Sequence, residues 1–162
     1  MSTTGIEPET FDILTLRLNC LGHHSLMTQE SVIEQANWHG ANLHCTTRGS
    51  SLVTVTSLEK HEALVKFLEK SDKKYSNQGY RFWIGASSLP DGENFVWQST
   101  GSRLSFTKWN LGEPNNAGGV EQCVEIIHCP GCNRIWDWND MKCSLKAYFV
   151  CETVDDSNIR QF

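Results

Sequence analysis

The chain has 162 residues, 39% hydrophobic and 20% charged, with a net charge of −5 from 14 basic and 19 acidic residues. That size and balance fit one folded domain with a real core and exclude a disordered chain. No basic run offers a nucleic-acid surface, and no apolar stretch approaches the ~20 residues of a membrane span.

Residues 1–10 read as a tail with neither a positive n-region nor an apolar h-region, so no signal peptide is visible. "FDILTLRL" (11–18) alternates as a strand, and "SLMTQE" (25–30) is a weaker strand. In "NWHGANLHC", Asn37 suits a helix N-cap, and Trp38, Ala41 and Cys45 share one face. Gly49 suits the end of that helix. "SLVTVTS" (51–57) reads as a β-branched strand. A second helix is expected over 56–70, with a Thr56–Glu59 capping box and a stripe of Leu64, Phe67 and Leu68. "KSDKKYSNQG" (70–79) is a polar exit loop.

After Tyr80 the pattern turns to short strands: "RFWIGAS", "NFVWQS", "CVEIIHC", "NRIWDWND" and "AYFVCE". Helices come early and antiparallel strands late, an α+β order. The segment from Ser99 to Asp140 holds little but loop and short strand, and long loops in a compact domain are usually functional. Trp38, Trp83, Trp97, Trp109, Trp136 and Trp138 read as core. His23, His24, His39, His44 and His61 form no ligand pattern and read as surface or packed residues.

Cys20, Cys45, Cys123, Cys129, Cys132, Cys143 and Cys151 admit two readings. "CPGC" has a zinc-knuckle spacing, so Cys123, Cys129, Cys132 and Cys143 could hold zinc, with His128 as a further ligand. Isolated Cys123 and Cys143 fit that poorly, and Cys45 and Cys151 would stand idle. The favoured reading is disulfides. Cys123–Cys143 would close the loop region, Cys45–Cys151 would tie the last strand to the first helix, and Cys129–Cys132 would staple a turn. Cys20 is then odd, a candidate for an inter-chain bond.

In "GEPNNAGGVEQC" (112–123) a loop gathers carboxylates and amides around a proline. On this stretch alone a solvated surface turn is an equal alternative to a binding loop.

The ordered series "NWHGANLHC", "WIGA", Trp97, Trp109, "EPN", "EQCVEI", "WND", Cys143 and "FVCE" resembles the C-type lectin domain family from about Leu21 to Glu152. The resemblance implies a double-loop α+β fold with two helices flanking small antiparallel sheets. It implies a domain over 20–152, preceded by a tail and first strand (1–19) and followed by a tail (153–162). It implies the pairs Cys45–Cys151 and Cys123–Cys143 and a cis Glu113–Pro114 bond. It implies one main Ca2+ held by Glu113, Asn115, Glu121, Asn139 and Asp140, which would also bind sugar; their three carboxylates and two amide oxygens suit that ion, which takes 6–8 oxygens at about 2.3–2.6 Å and needs neither imidazole nor thiolate. Asn116 and Gln122 replace the acids of the family's auxiliary calcium site. "EPN" goes with mannose, N-acetylglucosamine and fucose. Galactose is not excluded, although "NNAGGV" has no stacking aromatic.

The implied protein is a secreted, insect-like single-domain lectin of innate immunity. It would recognise glycans on glycoproteins or on microbial and viral surfaces. Its leader would be absent from this sequence. The alternative is a protein- or ice-surface-binding module with structural calcium. No nucleophile elbow, metalloprotease helix or phosphate loop supports an enzyme.

Overall fold

The computed structural model describes residues 14–20, 23–29, 35–70 and 79–154. Residues 1–13, most of the 70–79 loop and residues 155–162 lie outside those residues, while Thr153 and Val154, expected in the C-terminal tail, continue the last strand. Among the described residues two α-helices and two sheets form an α+β domain. The first sheet has the order β1 (Leu14–Cys20), β2 (His23–Gln29), β9 (Cys151–Val154) and β3 (Ser51–Leu52), all pairs antiparallel. The second has the order β5 (Val96–Trp97), β4 (Tyr80–Ser87), β6 (Cys123–Cys129) and β7 (Arg134–Met141), with β8 (Tyr148–Phe149) parallel to β4.

Helix α1 (Trp38–Thr46) begins at Asn37, whose side chain accepts from the Gly40 amide at 2.8 Å. It buries Trp38, Ala41 and Cys45, the face its spacing predicts. Helix α2 (Leu58–Glu69) buries His61, Leu64, Phe67 and Leu68. Its cap is Ser57, which accepts from the Lys60 amide, and not the expected Thr56. Ser57 holds the extended backbone that an N-cap needs, and the helix starts one residue later.

Three expected strands come out shorter or divided: "NFVWQS" keeps only Val96–Trp97 in a ladder. In "SLVTVTS" only Ser51 and Leu52 join a ladder. Beyond them Val53 bonds to the Val150 carbonyl and to the Gly85 amide, while the Thr54 amide donates to the Glu152 carboxylate at 2.8 Å. Gly85 allows this approach, because a Cβ there would lie 2.7 Å from the Leu52 carbonyl oxygen. "AYFVCE" divides at Val150, so that β8 serves the second sheet and β9 the first.

Two cores result. One packs Leu64, Phe67, Phe82, Ile84, Val124, Ile126 and Trp138 between α2 and the second sheet. The other gathers Trp38, Cys45, Trp83, Cys123, Cys143 and Cys151 around α1. There the Trp38 indole donates to the Ile84 carbonyl and the Trp83 indole to the Ala36 carbonyl, each at 3.0 Å. The bridges Cys45–Cys151 and Cys123–Cys143 close this second core, and Cys129–Cys132 staples the turn before β7. These oxidised sulfurs remove the zinc alternative, which needs thiolates.

Candidate functional site

The loop from Ser99 to Gln122 is joined to the backbone of β7 at Trp138. The Trp138 amide donates to the Lys108 carbonyl at 2.8 Å, and the Asn110 amide donates to the Trp138 carbonyl at 2.9 Å. The Trp138 ring is fully buried and meets Trp97, Phe106 and Trp109 edge to face, with centroids 5.8–6.0 Å apart. Trp109, expected in the core, is half-buried on its rim. This aromatic clasp fixes the two residues that follow Trp138, Asn139 and Asp140, both buried.

The loop then turns toward them. Gly112 sits at φ 89, open to glycine and rare for other residues. The Glu113–Pro114 peptide is cis, and Asn116 is left-handed at φ 44. The Asp140 carboxylate accepts from the Asn115 amide at 3.1 Å and the Asn116 amide at 2.7 Å. Asn116 Oδ1 accepts from the Glu121 amide at 3.0 Å, and Glu121 Oε2 accepts from the Ala117 amide at 3.2 Å. The loop is thus organised by its own acids and amides.

Glu113, Asn139 and Asp140 meet at the centre. Burial first, and the neighbouring Asp140 carboxylate second, push the Glu113 carboxyl above the usual range, while Arg134 opposes them. Glu113 Oε2 is buried with no hydrogen-bond partner. A buried carboxylate oxygen left bare is costly, and a cation would satisfy it. Asn115 reaches this centre through its backbone amide and keeps its side chain exposed, while Glu121 lies on the flank. Among the described residues no three His, Cys, Asp or Glu side chains gather as a ready cage. The donors at hand are the Glu113–Asp140 pair and the neighbouring amide oxygens, an oxygen-only set that fits a hard cation.

Two participants escaped the sequence reading. Glu125, in β6, is fully buried and accepts from Asn139 Nδ2 at 3.1 Å. Burial raises its pKa to about 7, against the pull of Arg81, whose guanidinium lies 3.8 Å away. Asn139 Nδ2 also donates to the Asp140 carbonyl at 2.7 Å. Both its amide hydrogens are spent inside the protein. An acid in the apolar run "CVEIIHC" was the available signal.

The other is Arg134. Its Nη2 lies 3.5 Å from Glu113 Oε1, and its Nη1 donates to Asn139 Oδ1 at 3.3 Å. The register explains its position. Ile127 faces Asp137 and His128 faces Ile135, so Trp136 is an extra residue in β7, at φ 61. That bulge reverses the alternation and puts Arg134 on the face that carries Asn139.

The Lectin C-type domain family matches residues 34–153. C-type lectin mosGCTL-7 of Aedes aegypti is 43% identical over 129 residues, covering 79% of this chain and 83% of that protein. Salivary C-type lectin 1 of Aedes albopictus is 38% identical over 117 residues, covering 72% and 76%. Human lithostathine superposes with a TM-score of 0.68 at 19% identity, over 95% of this chain and 99% of that one. A mouse scavenger receptor C-type lectin carbohydrate-recognition domain gives 0.67 at 23% identity, over 87% and 95%. At those identities the solved structures speak to fold alone. The family and the mosquito relatives are lectins, not enzymes.

Proposed function

The chain belongs to the C-type lectin domain family, and from that premise we propose that it binds carbohydrate in a Ca2+-dependent manner. The observation that carries the reading is the crowding of the Glu113 and Asp140 carboxyls, with Glu113 Oε2 buried and unpartnered. Glu113, Asn115, Glu121, Asn139 and Asp140 would hold the ion. When bound, the ion supplies a Lewis-acidic contact for two sugar hydroxyls. Glu113 and Glu121 accept the hydroxyl protons, and the exposed Asn115 amide donates. Asn139 offers its oxygen only, because both its hydrogens are engaged.

The order of acceptor and donor in Glu113-Pro114-Asn115 supports mannose, N-acetylglucosamine and fucose. Galactose remains open, because the loop carries no aromatic either to favour it or to block it. Two further features support a secreted protein acting on glycoproteins or microbial surfaces in innate immunity. Three disulfides fit an oxidising compartment, and one similar protein is named a salivary lectin. No helix among the described residues is long and apolar enough to cross a membrane. A single-ion site gripping one sugar is shallow, so useful avidity comes from clustering, and Cys20 is the candidate link between chains.

The test is retention on mannose- and fucose-agarose. The reading predicts binding in Ca2+, release by chelator, and loss of retention in Asn115→Ala. Retention that survives excess chelator would favour the alternative of a protein- or ice-surface binder.

A further inference from the structure

We propose that Arg134 gives this site a preference for glycans that carry a carboxylate or sulfate beside the hydroxyls held at the cation. The proposal rests on the cation-site reading above. Its starting point is that both contacts of the guanidinium are to oxygens which that site claims: Glu113 Oε1 at 3.5 Å and Asn139 Oδ1 at 3.3 Å. Both are long beside the ~2.8 Å of a strong charge-assisted bond, so the guanidinium is held loosely. A divalent ion that takes these oxygens removes both partners and repels the guanidinium as a like charge.

The backbone cannot carry Arg134 away. It is paired with Cys129 across the ladder, follows the Cys129–Cys132 turn, and is fixed in register by the Trp136 bulge. A tryptophan at φ 61 is a costly conformation, and such strain collects at functional sites. Nearby acids do not readily recapture the side chain. Glu125 is fully buried and already faces Arg81, and Asp137 lies 3.4 Å from Lys108. Arg134 is 27% exposed, so its path leads outward, to the mouth of the site. There it presents a planar fork of N–H donors that matches a carboxylate or sulfate and finds little to bond in a neutral sugar.

The experiment compares wild type, Arg134→Gln and Arg134→Lys in saturating Ca2+. The probes are a neutral mannoside, a uronic-acid-terminated oligosaccharide and a sulfated mannoside. Wild type should bind at least one charged probe about tenfold more tightly than the neutral one. Whether the uronate or the sulfate shows the gain tells the two sources apart. Arg134→Gln should bind all three alike, and Arg134→Lys should keep part of the preference. Calcium affinity, measured separately, should hold or tighten in Arg134→Gln, because a repelling charge is gone. Chelator-sensitive binding by wild type with no charge preference would overturn the proposal alone, as would a preference that persists in Arg134→Gln. Absence of any chelator-sensitive binding would overturn the cation-site reading and the proposal with it.

Discussion

At the scale of single residues, the site depends on how one amide is aimed. Asn139 donates its hydrogens to Glu125 and to the Asp140 carbonyl, so its oxygen faces Arg134. Removing the acceptor frees the amide to turn. Glu125→Ala should therefore weaken calcium binding about 10–100-fold, the usual cost of losing a residue that orients a ligand. Glu125→Gln, which keeps an acceptor oxygen, should lose much less, and a calcium titration of the two variants separates them. Glu113, Asn115 and Glu121 stand out in the sequence as oxygen donors gathered around a proline in one loop, whereas Asn139 and Asp140 are drawn in by the family resemblance of "WND". Glu125 and Arg134 do not stand out. Glu125 looks like one acid in an apolar strand, and simple alternation points Arg134 away from Asn139. Only the Trp136 bulge turns it back, and no rule of period two contains a bulge.

At the scale of elements, α2 is held to the first sheet by a buried polar junction. Glu152 accepts from the Thr54 amide and hydroxyl and pairs with Lys60 at 2.7 Å. Lys60 is 13% exposed and Glu152 3%. Lys60→Met should cost about 3 kcal/mol in urea unfolding, because it strands a buried carboxylate. The same junction explains why "SLVTVTS" is not one strand: its β-branched residues signal extension, but nothing local shows that a distant acid will take the Thr54 amide.

The other face of α2 packs His61 against Phe106 and Trp138, with ring centroids 6.2 and 6.4 Å away. Burial first, and Lys108 second, hold its pKa below the ordinary imidazole value, while Asp137 and Glu62 pull upward. The neutral ring's contribution is therefore full above the unfolded pKa of ~6.5 and is lost as pH falls below it toward the folded value. His61→Leu should flatten that part of the acid limb in a plot of melting temperature against pH. A limb of unchanged slope would show that His61 carries no such term.

For the whole molecule, helices before strands and paired cysteines made the α+β class and the disulfide framework legible. Their arrangement was less so. "AYFVCE" reads as one strand, yet it leaves one sheet and enters the other at Val150, a choice set by long-range packing. Cys45–Cys151 spans 106 residues and ties that last strand to α1. Removing it as Cys45→Ala with Cys151→Ala should cost on the order of 4–5 kcal/mol by the chain-entropy account, read as a fall in the urea midpoint. The fold thereby brings the 112–123 loop and β7 together at the Glu113–Asp140 pair, which we propose holds a divalent ion. Calorimetric titration of Ca2+ into the metal-free protein should show saturable binding of one ion, weakened at least about tenfold by Glu113→Gln. No saturable heat, or the same affinity in wild type and Glu113→Gln, would contradict it.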